Sequence, residues 1–420
     1  MVTMKEILKK SSILYWINAK IKCYQLKRDL ALLAHDYKKR THDTELTYEP
    51  EAAIQEFRKR HSVYQPDFVP RVPGKLRVFW IGTNQDQDES GFIQALQRLC
   101  NVTIFHNIDG NYGIWQGRPA EQNAPSFFDI RKANDQALLQ QIVEAINKDG
   151  IDLLIGQMWA SLISKEVLAK VQAMGIPVIN ISMDDRLPVH WTRKDDVRLG
   201  SVGLATSLDM VLTTSPETCL WYGVEGCPAL FWPLASDPGV FTPAEGAVRD
   251  IDVLFIGNKY GVRGKIVRYL ESRGVKVDCY GGGWPNGYVN ADQMSALSKR
   301  ARIILGVGAV GHCQDVYTLK LRDFDAPMSG ALYLTHRNPD LCRLYREGEE
   351  IECYETPKEA LKKIRFYLDH PEDLARIAKN GHQKALTRDT WDQRLLTTFE
   401  QLGLLKSNKS YNALEHPDDK

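Results

Sequence analysis

The stretch Asp252-Val253-Leu254-Phe255-Ile256-Gly257 is a short apolar run that ends in glycine. A run of the same kind stands earlier in the chain, at Leu76-Arg77-Val78-Phe79-Trp80-Ile81-Gly82. Each run is followed by a helical segment and then by further apolar runs of strand length. Strands that alternate with helices form parallel sheets covered on both faces. The sequence therefore predicts an α/β protein with two tandem doubly wound, Rossmann-like domains.

Breaks in composition divide the chain into five parts. Residues 5–40 contain no Gly or Pro, which favours a helix, and the proline-rich stretch Gln65–Gly74 reads as a linker. A second proline-rich segment, Pro233–Glu245, ends the first repeated unit. The predicted parts are a basic amphipathic helical extension at 1–70, a first Rossmann-like domain at 71–245, a second at 246–386, a C-terminal helix at 387–405 and a polar, disordered tail at 406–420.

Overall composition is that of a globular protein with balanced charge. The chain has 420 residues, with 54 Lys and Arg against 53 Asp and Glu, and 43% of its residues are hydrophobic. This length fits two domains with an extension. Because nucleic-acid binding usually shows as a basic domain, the balance gives no indication of a nucleic-acid partner.

The segment at residues 1–40 departs from this balance, since it holds ten bases against three acids, a net charge of +7. Apolar side chains recur in it at helical spacing: Ile13, Ile17, Ile21 and Tyr24, then Leu26, Leu30 and Leu33. Two interpretations stay open. The helix lies on an anionic membrane surface, or it docks on its own domain or on a second subunit.

Cysteine spacing and hydropathy favour a cytoplasmic location. The eight cysteines are scattered without a CxxC pair, which fits neither a zinc site nor a disulfide framework, so we expect reduced thiols. The longest apolar stretch near the start, Ile13–Ile17, is shorter than a membrane span or a secretory signal requires. We expect a cytoplasmic protein, peripheral at the inner face of the membrane if the basic helix binds lipid.

Two glycine-bearing turns are candidate ligand sites. The loop Gly257–Lys265 lies between a strand and a helix, where backbone N–H groups favour anions, and Arg263 adds charge. It is neither a Walker A motif nor GxGxxG, so a plain turn with surface bases fits as well. In the turn at residues 280–285, YGGGWP, the glycines allow a ligand or another backbone to come close. The alternative is a mobile turn with Trp284 as its packing anchor.

The most informative stretch is KLRDFDAPMSG at residues 320–330, which precedes an apolar strand. Lys320 and Arg322 are suited to neutralising a diphosphate leaving group. Asp325 is suited to accepting hydrogen bonds from a ribose hydroxyl pair. By composition alone, a solvated charged helix is the simpler interpretation.

The run from Asp252 to about Leu386 resembles the C-terminal half of GT-B glycosyltransferases of the "group 1" type, in particular their CgeB-like (spore-protein-like) branch. The features that carry the resemblance are the strand-glycine opening with Tyr260 and Arg263, the turn at 280–284, and the segments 321–330, 338–348 and 357–372. The first half matches more loosely, at Gln157-Met158-Trp159, 175–178, Met183-Asp184-Asp185, 212–216 and 234–241.

The resemblance implies transfer of a sugar from a nucleotide-diphosphate donor to a glycan, lipid or protein acceptor, without a metal or other cofactor. The second domain would hold the donor, the first the acceptor, and the last helix would cross back onto the first domain. The donor-side positions carried over are Gly257, Tyr260, Arg263, Gly283, Trp284, Lys320, Arg322 and Asp325. Of these, Arg263, Lys320 and Arg322 would face the diphosphate and Asp325 the ribose. The family usually has glutamate where this chain has Asp325.

A catalytic base, if the reaction uses one, is expected beside the acceptor. The candidates are Asp184 and Asp185 at a strand end, His190 shortly after them, and His312. Paired aspartates often only cap a loop, and a lone histidine is more often structural. A reaction that retains configuration needs no protein base.

Two other functions stay open on the same scaffold. One is a nucleotide-sugar epimerase or phosphorylase, which would convert its substrate without an acceptor. The other is a non-catalytic scaffold protein, which the shortened side chain at Asp325 favours.

Overall fold

A computed structural model describes residues 12–117, 125–194 and 197–407. The strands are β1 Leu76–Ile81, β2 Cys100–Ile104, β3 Leu153–Gly156, β4 Val178–Ser182, β5 Arg193–Lys194, β6 Val197–Arg198, β7 Met210–Thr213, β8 Ala229–Phe231, β9 Ile251–Ile256, β10 Asp278–Tyr280, β11 Ala301–Gly306, β12 Ala309–Val310, β13 Cys313–Tyr317, β14 Leu332–His336 and β15 Glu352–Tyr354. They form two parallel sheets, ordered β2-β1-β3-β4-β7-β8 and β10-β9-β11-β14-β15, and two short antiparallel pairs, β5–β6 and β12–β13. The predicted class, α/β with two tandem parallel sheets, is confirmed.

Helices cover both sheets and extend the chain at each end. They are α1 Ser12–Asp43, α2 Pro50–Tyr64, α3 Gln85–Asp88, α4 Phe92–Leu99, α5 Phe127–Lys148, α6 Lys165–Ala173, α7 Thr218–Val224, α8 Pro238–Phe241, α9 Arg263–Glu271, α10 Ala291–Arg300, α11 Arg322–Met328, α12 Pro339–Leu344, α13 Pro357–Asp369, α14 Pro371–Arg388 and α15 Trp391–Gln401. Two 3₁₀ helices, Pro188–His190 and Ser201–Ser207, stand between β4 and β7.

Burial on both faces explains why the strands read as unbroken apolar runs. Successive side chains of a strand point to opposite faces. Along β1, Val78 and Trp80 enter one core cluster, whereas Phe79 and Ile81 enter another. Since helices lie on both sides, neither face of the strand has to be polar. This is the physical reason why the strand-glycine pattern could be recognised in the sequence.

The helix α15 packs on the first domain although it follows the second. The Trp391 ring lies 5.1 Å from that of Phe92 and 5.6 Å from that of Trp232, measured between ring centroids. The Trp232 indole N–H donates to Thr398 Oγ1 at 2.9 Å. This packing brings the end of the chain back to α4 and the first sheet.

The N-terminal helix α1 docks on the chain's own domains. The buried Tyr37 ring packs against Trp191 and Trp221 at centroid distances of 4.9 and 5.2 Å. Tyr37 also donates to Glu225 at 2.6 Å. Nearer its start, Lys27 forms an ion pair with Asp315 of β13, so the helix contacts both halves of the chain.

The apolar residues of α1 lie on two different faces. The docked face carries the half-buried side chains of Leu26, Leu30 and Leu33. Ile17, Ile21 and Tyr24 are 42%, 49% and 67% exposed. The apolar residues that recur at helical spacing in the sequence therefore form two stripes. One stripe packs on the protein, and the other faces outward.

Among the described residues, no helix combines the length and the apolar character that crossing a bilayer requires. Residues 1–11 of the predicted extension and residues 408–420 of the predicted tail lie outside the described residues.

Replacing Trp391 by Ala should destabilise the whole chain, because this buried side chain joins α15 to the first domain. The expected loss in free energy of unfolding is about 3–5 kcal/mol, the usual cost of truncating a large buried aromatic residue. Urea denaturation measures it, with Tyr288→Ala as the control, since Tyr288 is 78% exposed. Equal small losses in both variants would contradict the packing of α15.

Candidate active site

A cavity of about 350 Å³ lies between the two sheets. The first domain contributes Gln87, Ser90, Met183, Asp184 and Leu234, and the second contributes Gly257, Lys320, Arg322 and Asp325 with neighbouring apolar residues. Several of these residues directly follow strands, as Met183 follows β4 and Gly257 follows β9. In doubly wound sheets, ligands bind at the carboxyl ends of the strands. The cavity is also of the size that small-molecule sites usually have.

Two guanidinium groups converge over Gly257 at the second-domain side of this cavity. A Cβ atom built on Gly257 would lie 3.2 Å from Arg322 Nη2 and 3.3 Å from Arg263 Nη1. Gly257 has φ +148°, a conformation that other residues rarely adopt. Arg263 begins α9 and Arg322 begins α11, so two elements far apart in sequence deliver the two charges.

Neither guanidinium forms an ion pair with a carboxylate of the described residues. Arg263 donates to the Asn258 carbonyl at 3.1 Å, and Arg322 donates to the Ile256 carbonyl at 3.3 Å. Burial and the neighbouring Arg322 lower the pKa of Arg263 to about 10. Two adjacent guanidinium groups that form no ion pair among the described residues are suited to binding an anion, and guanidinium groups match phosphate oxygens in geometry.

The loop that carries Gly257 is braced by the turn at 280–285. The Trp284 indole N–H donates to the Gly257 carbonyl at 2.7 Å, and its ring is buried. A Cβ atom on Gly281 would lie 2.6 Å from the Gly257 carbonyl carbon, so that position requires glycine. The glycine-rich turn therefore serves a close approach between two backbones, with Trp284 as a packing anchor.

Four of the predicted donor-side residues do not line the cavity: Arg263, and the three that support the loop around it. Gly283 lies in the bracing turn with φ +83°. Trp284 holds the Gly257 carbonyl, and the Tyr260 ring lies under the Arg263 guanidinium at 4.2 Å. These residues position the cations, and their predicted contact with a donor stays a prediction.

An ion pair crosses the cavity between the two domains. Lys320 Nζ lies 2.7 Å from Asp184 Oδ1. Burial opposes ionisation of Asp184, but the lysine outweighs it, so the pKa of this carboxyl is lowered. Asp184 has φ +61°, a backbone conformation that residues other than glycine rarely adopt. Lys320 is thus paired with a carboxylate, unlike Arg263 and Arg322.

The other catalytic candidates lie apart from one another. Asp185 is buried in the first domain, where Ser182 donates to its carboxylate, and burial raises its pKa to about 7. His190 stands near the Lys320–Asp184 pair, and burial lowers its pKa. His312 follows β12, where Lys265 is among its charged neighbours, and burial lowers its pKa too. Asp184 is the candidate that lines the cavity.

Asp325 lines the cavity as a buried carboxyl group. Ser236, from the segment between the two sheets, donates to its Oδ1 at 2.7 Å. Burial raises the pKa of Asp325 to about 8. A carboxyl group with this pKa is mostly protonated at pH 7, which its residue type alone does not indicate.

Arg186 is a cross-domain residue that the sequence analysis does not single out. Its guanidinium lies 2.6 Å from Asp340 of the second domain and also pairs with Glu217 of the first. The same group donates to the Tyr317 carbonyl at 3.0 Å. No spacing rule joins residues so distant in sequence, although Arg186 directly follows the two candidate aspartates.

Comparison with known proteins agrees with this geometry. Residues 263–400 match the family model described as Glycosyl transferase-like. No curated protein matches the chain by sequence.

Several solved structures superpose on most of the chain. The sucrose-phosphate synthase of Thermosynechococcus elongatus is 12% identical, with a TM-score of 0.54 over 78% of this chain and 98% of that one. HepE of Anabaena, solved in complex with UDP-glucose, is 11% identical, with a TM-score of 0.52 over 78% and 100%. A glycosyltransferase from Rickettsia africae is 9% identical, with a TM-score of 0.52 over 79% and 100%.

The chain has the GT-B fold. Residues 263–400 are similar to the Glycosyl transferase-like family model, which covers less than half of the chain. These comparisons do not test whether the chain belongs to the CgeB-like branch, so that assignment stays a prediction.

Asp325→Asn should change how stability depends on pH. Between the unfolded pKa of about 4 and the folded pKa of about 8, unfolding of the wild type releases a proton. Rising pH in this window therefore favours the unfolded state. Asn keeps an oxygen for Ser236 but does not titrate. We expect the free energy of unfolding of the wild type to fall relative to that of the variant from about pH 5 to pH 8.

Urea denaturation at several pH values without ligand measures this difference. The control is Asp250→Asn, because hydrogen bonding to Arg300 lowers the pKa of the exposed Asp250. That control should differ from the wild type by a constant amount over the same pH range. A constant difference for Asp325→Asn as well would show that Asp325 is ionised in the folded protein.

Proposed function

We propose that the protein is a glycosyltransferase that moves a sugar from a nucleoside-diphosphate sugar to an acceptor in the cavity between its domains. The observation that carries this proposal is the convergence of Arg263 and Arg322 over Gly257 without carboxylate partners. The GT-B fold and the Glycosyl transferase-like domain give the class of reaction. HepE, which shares the fold, was solved with UDP-glucose, and this supports a nucleotide-sugar donor here.

The two arginines would stabilise the departing nucleoside diphosphate. Negative charge builds up on that group as its bond to the sugar breaks, and fixed cations stabilise such charge most where water is excluded. Arg263 is buried and Arg322 is half-buried, so both are partly desolvated before a donor arrives. We therefore propose donor binding and transfer without a divalent metal ion.

We propose that Asp325 contacts the donor and that Asp184 contacts the acceptor. Asp325 lies on the donor side, where its neutral carboxyl could both donate to and accept from a ribose hydroxyl. Asp184 belongs to the first domain, where the acceptor is expected, and Lys320 keeps it ionised. Asp184 is thus the proposed acceptor-side group, with His190 beside it.

The competing functions differ in the products they form. An epimerase or phosphorylase on this scaffold would convert a nucleotide sugar without any acceptor. A scaffold protein would release no nucleoside diphosphate from any donor. Product analysis with a panel of nucleotide sugars, with and without acceptors, therefore separates the three.

Arg322→Ala should weaken binding of UDP and other nucleoside diphosphates by about 10–100-fold, since a hydrogen bond to a charged group contributes about 1.5–3 kcal/mol. Arg263→Ala should have a similar effect for the same reason. Calorimetry in the presence of EDTA measures the affinities and tests whether a metal ion is needed.

Arg300→Ala is the matched control for this loss, because Arg300 is an exposed arginine paired with Asp250. It should bind nucleoside diphosphates as the wild type does. If UDP, GDP, ADP and dTDP compounds all fail to bind the wild type, the result would contradict the transferase function and favour the scaffold function.

We also propose that the outward face of α1 binds an anionic membrane surface from the cytoplasmic side, where a lipid acceptor would be available. Ile17, Ile21 and Tyr24 are exposed on this face, and the exposed base Lys20 lies between Ile17 and Ile21 in sequence. Apolar side chains inserted among headgroups, with bases beside anionic lipids, are typical of interfacial helices. Docking of the opposite face on the protein leaves these side chains available.

Replacing Ile17, Ile21 and Tyr24 together by Ser should weaken binding to phosphatidylserine vesicles by more than tenfold. Each such side chain contributes about 1.5–3 kcal/mol when buried. Vesicle sedimentation measures binding, which should also fall with added salt. The control replaces the exposed Ile108 and Tyr288, on other surfaces, by Ser. Equal binding by the two variants would contradict the proposal.

A further inference from the structure

Two thiols lie next to each other at the edge of the second sheet, away from the cavity wall. Cys353 belongs to the edge strand β15 and is completely buried. Cys342 belongs to the short helix α12 and is partly exposed. Their Sγ atoms are 3.9 Å apart, and both cysteines are free. The pair thus combines one thiol that a solvent-borne reagent can reach with one that it cannot.

The surroundings of the two thiols make them chemically unequal. The hydrogen bond from Cys353 and the nearby Arg337 lower the pKa of Cys342 to about 7, whereas the pKa of Cys353 is raised. The thiolate is the reactive form of cysteine, so Cys342 is the nucleophile of the pair. An accessible thiolate with a second thiol in reach is the usual arrangement of a redox-sensitive site.

Cys342 stands two residues after a contact that joins the domains. Asp340, on the same short helix, lies 2.6 Å from the Arg186 guanidinium of the first domain. A disulfide requires an S–S distance of about 2.05 Å. Where rotation of the two side chains does not close this gap, α12 has to move against β15, and any such shift of α12 carries the carboxylate that holds Arg186.

We propose that Cys342 and Cys353 form a reversible thiol–disulfide site that responds to peroxide and adjusts the contact between the domains. The Cys342 thiolate attacks hydrogen peroxide, breaks its O–O bond and becomes a sulfenic acid, while the hydroxide released takes up a proton and leaves as water. The Cys353 thiol then attacks the sulfenic sulfur, forms the S–S bond and releases a second water. Two thiols and one peroxide give one disulfide and two waters, and a dithiol reductant restores the thiols.

The charged groups around the two thiols make a metal site on the same residues less favourable than oxidation of the thiols. Glu347 is the third group that could ligate an ion together with the two thiols. Its carboxylate is already paired with Arg337 at 2.7 Å and with Lys363 at 3.5 Å. These cations favour a thiolate but oppose a divalent ion, so the surroundings favour oxidation of the pair.

Thiol counting on the purified full-length chain tests the chemistry. With a small excess of hydrogen peroxide, the number of free thiols should fall from eight to six. Tryptic mapping should then find residues 338–343 linked to residues 347–358. Cys353→Ser should stop at the sulfenic acid, which dimedone labels at Cys342, and Cys342→Ser should lose no thiol at the same dose.

The matched control is Cys313→Ser, which removes a buried thiol near Cys23 whose pKa is raised by burial. This variant should lose two thiols as the wild type does. Retention of all eight thiols in the wild type, or links between other cysteines, would overturn the proposal. A tightly bound zinc ion whose removal alone makes the two thiols reactive would also overturn it, in favour of a metal site.

Hydrogen exchange tests the link to the domain contact. Amides of residues 338–344 and 184–187 should exchange faster in the oxidised wild type than in the reduced protein, and Cys342→Ser should show no change with peroxide. Unchanged exchange in a fully oxidised wild type would refute the effect on the domains. None of these readouts uses a donor, so they stand apart from the proposed transferase activity.

Discussion

Two guanidinium groups held side by side, with no ion-paired carboxylate among the described residues, are the constraint around which the second-domain side of the cavity is built. Like charges repel, and burial strengthens the repulsion because little water screens it. Arg263 and Arg322 stay together because both lie over the Phe255 ring, at 5.8 and 5.0 Å, and donate to backbone carbonyls of the same loop. Gly257 leaves the space they share, and Trp284 fixes its carbonyl. A bound anion would relieve the repulsion between the two guanidinium groups.

Contacts between the domains connect this cationic site to the first domain. Lys320 pairs with Asp184 across the cavity. A diphosphate on the two arginines would bring a second negative group toward the same lysine, which then has to divide its hydrogen bonds between donor and Asp184. Arrival of the donor would thereby free the Asp184 carboxylate for an acceptor hydroxyl. Asp325, neutral and bonded to Ser236, keeps its place because it carries no charge for the donor to disturb.

The sequence predicted what depends on local pattern, and it missed what depends on how distant segments pack. The strand-glycine runs gave both sheets, because a strand buried on both faces must be apolar throughout. The resemblance to GT-B glycosyltransferases implied that Arg263 and Arg322 share one site, and the structure brings both over Gly257. It could not show that Lys320 is paired with Asp184 or that Arg186 reaches Asp340, since such pairs depend on how the two domains are oriented. The neutral state of Asp325 was equally hidden, because it follows from burial and not from residue type.

The N-terminal helix α1 is linked to the loop Gly257–Lys265 through the β12–β13 hairpin, which contacts both. Lys27 pairs with Asp315 on β13, and the turn of this hairpin accepts a hydrogen bond at Gly311 from the Val262 amide, at 2.8 Å. Val262 directly precedes Arg263, so the hairpin connects the backbone that carries Arg263 to α1. If α1 binds a membrane with its outward face, as proposed, its contact with the hairpin would tie the position of the cavity to that membrane. This arrangement gives a reason for a long basic helix on a fold whose two domains already enclose the site.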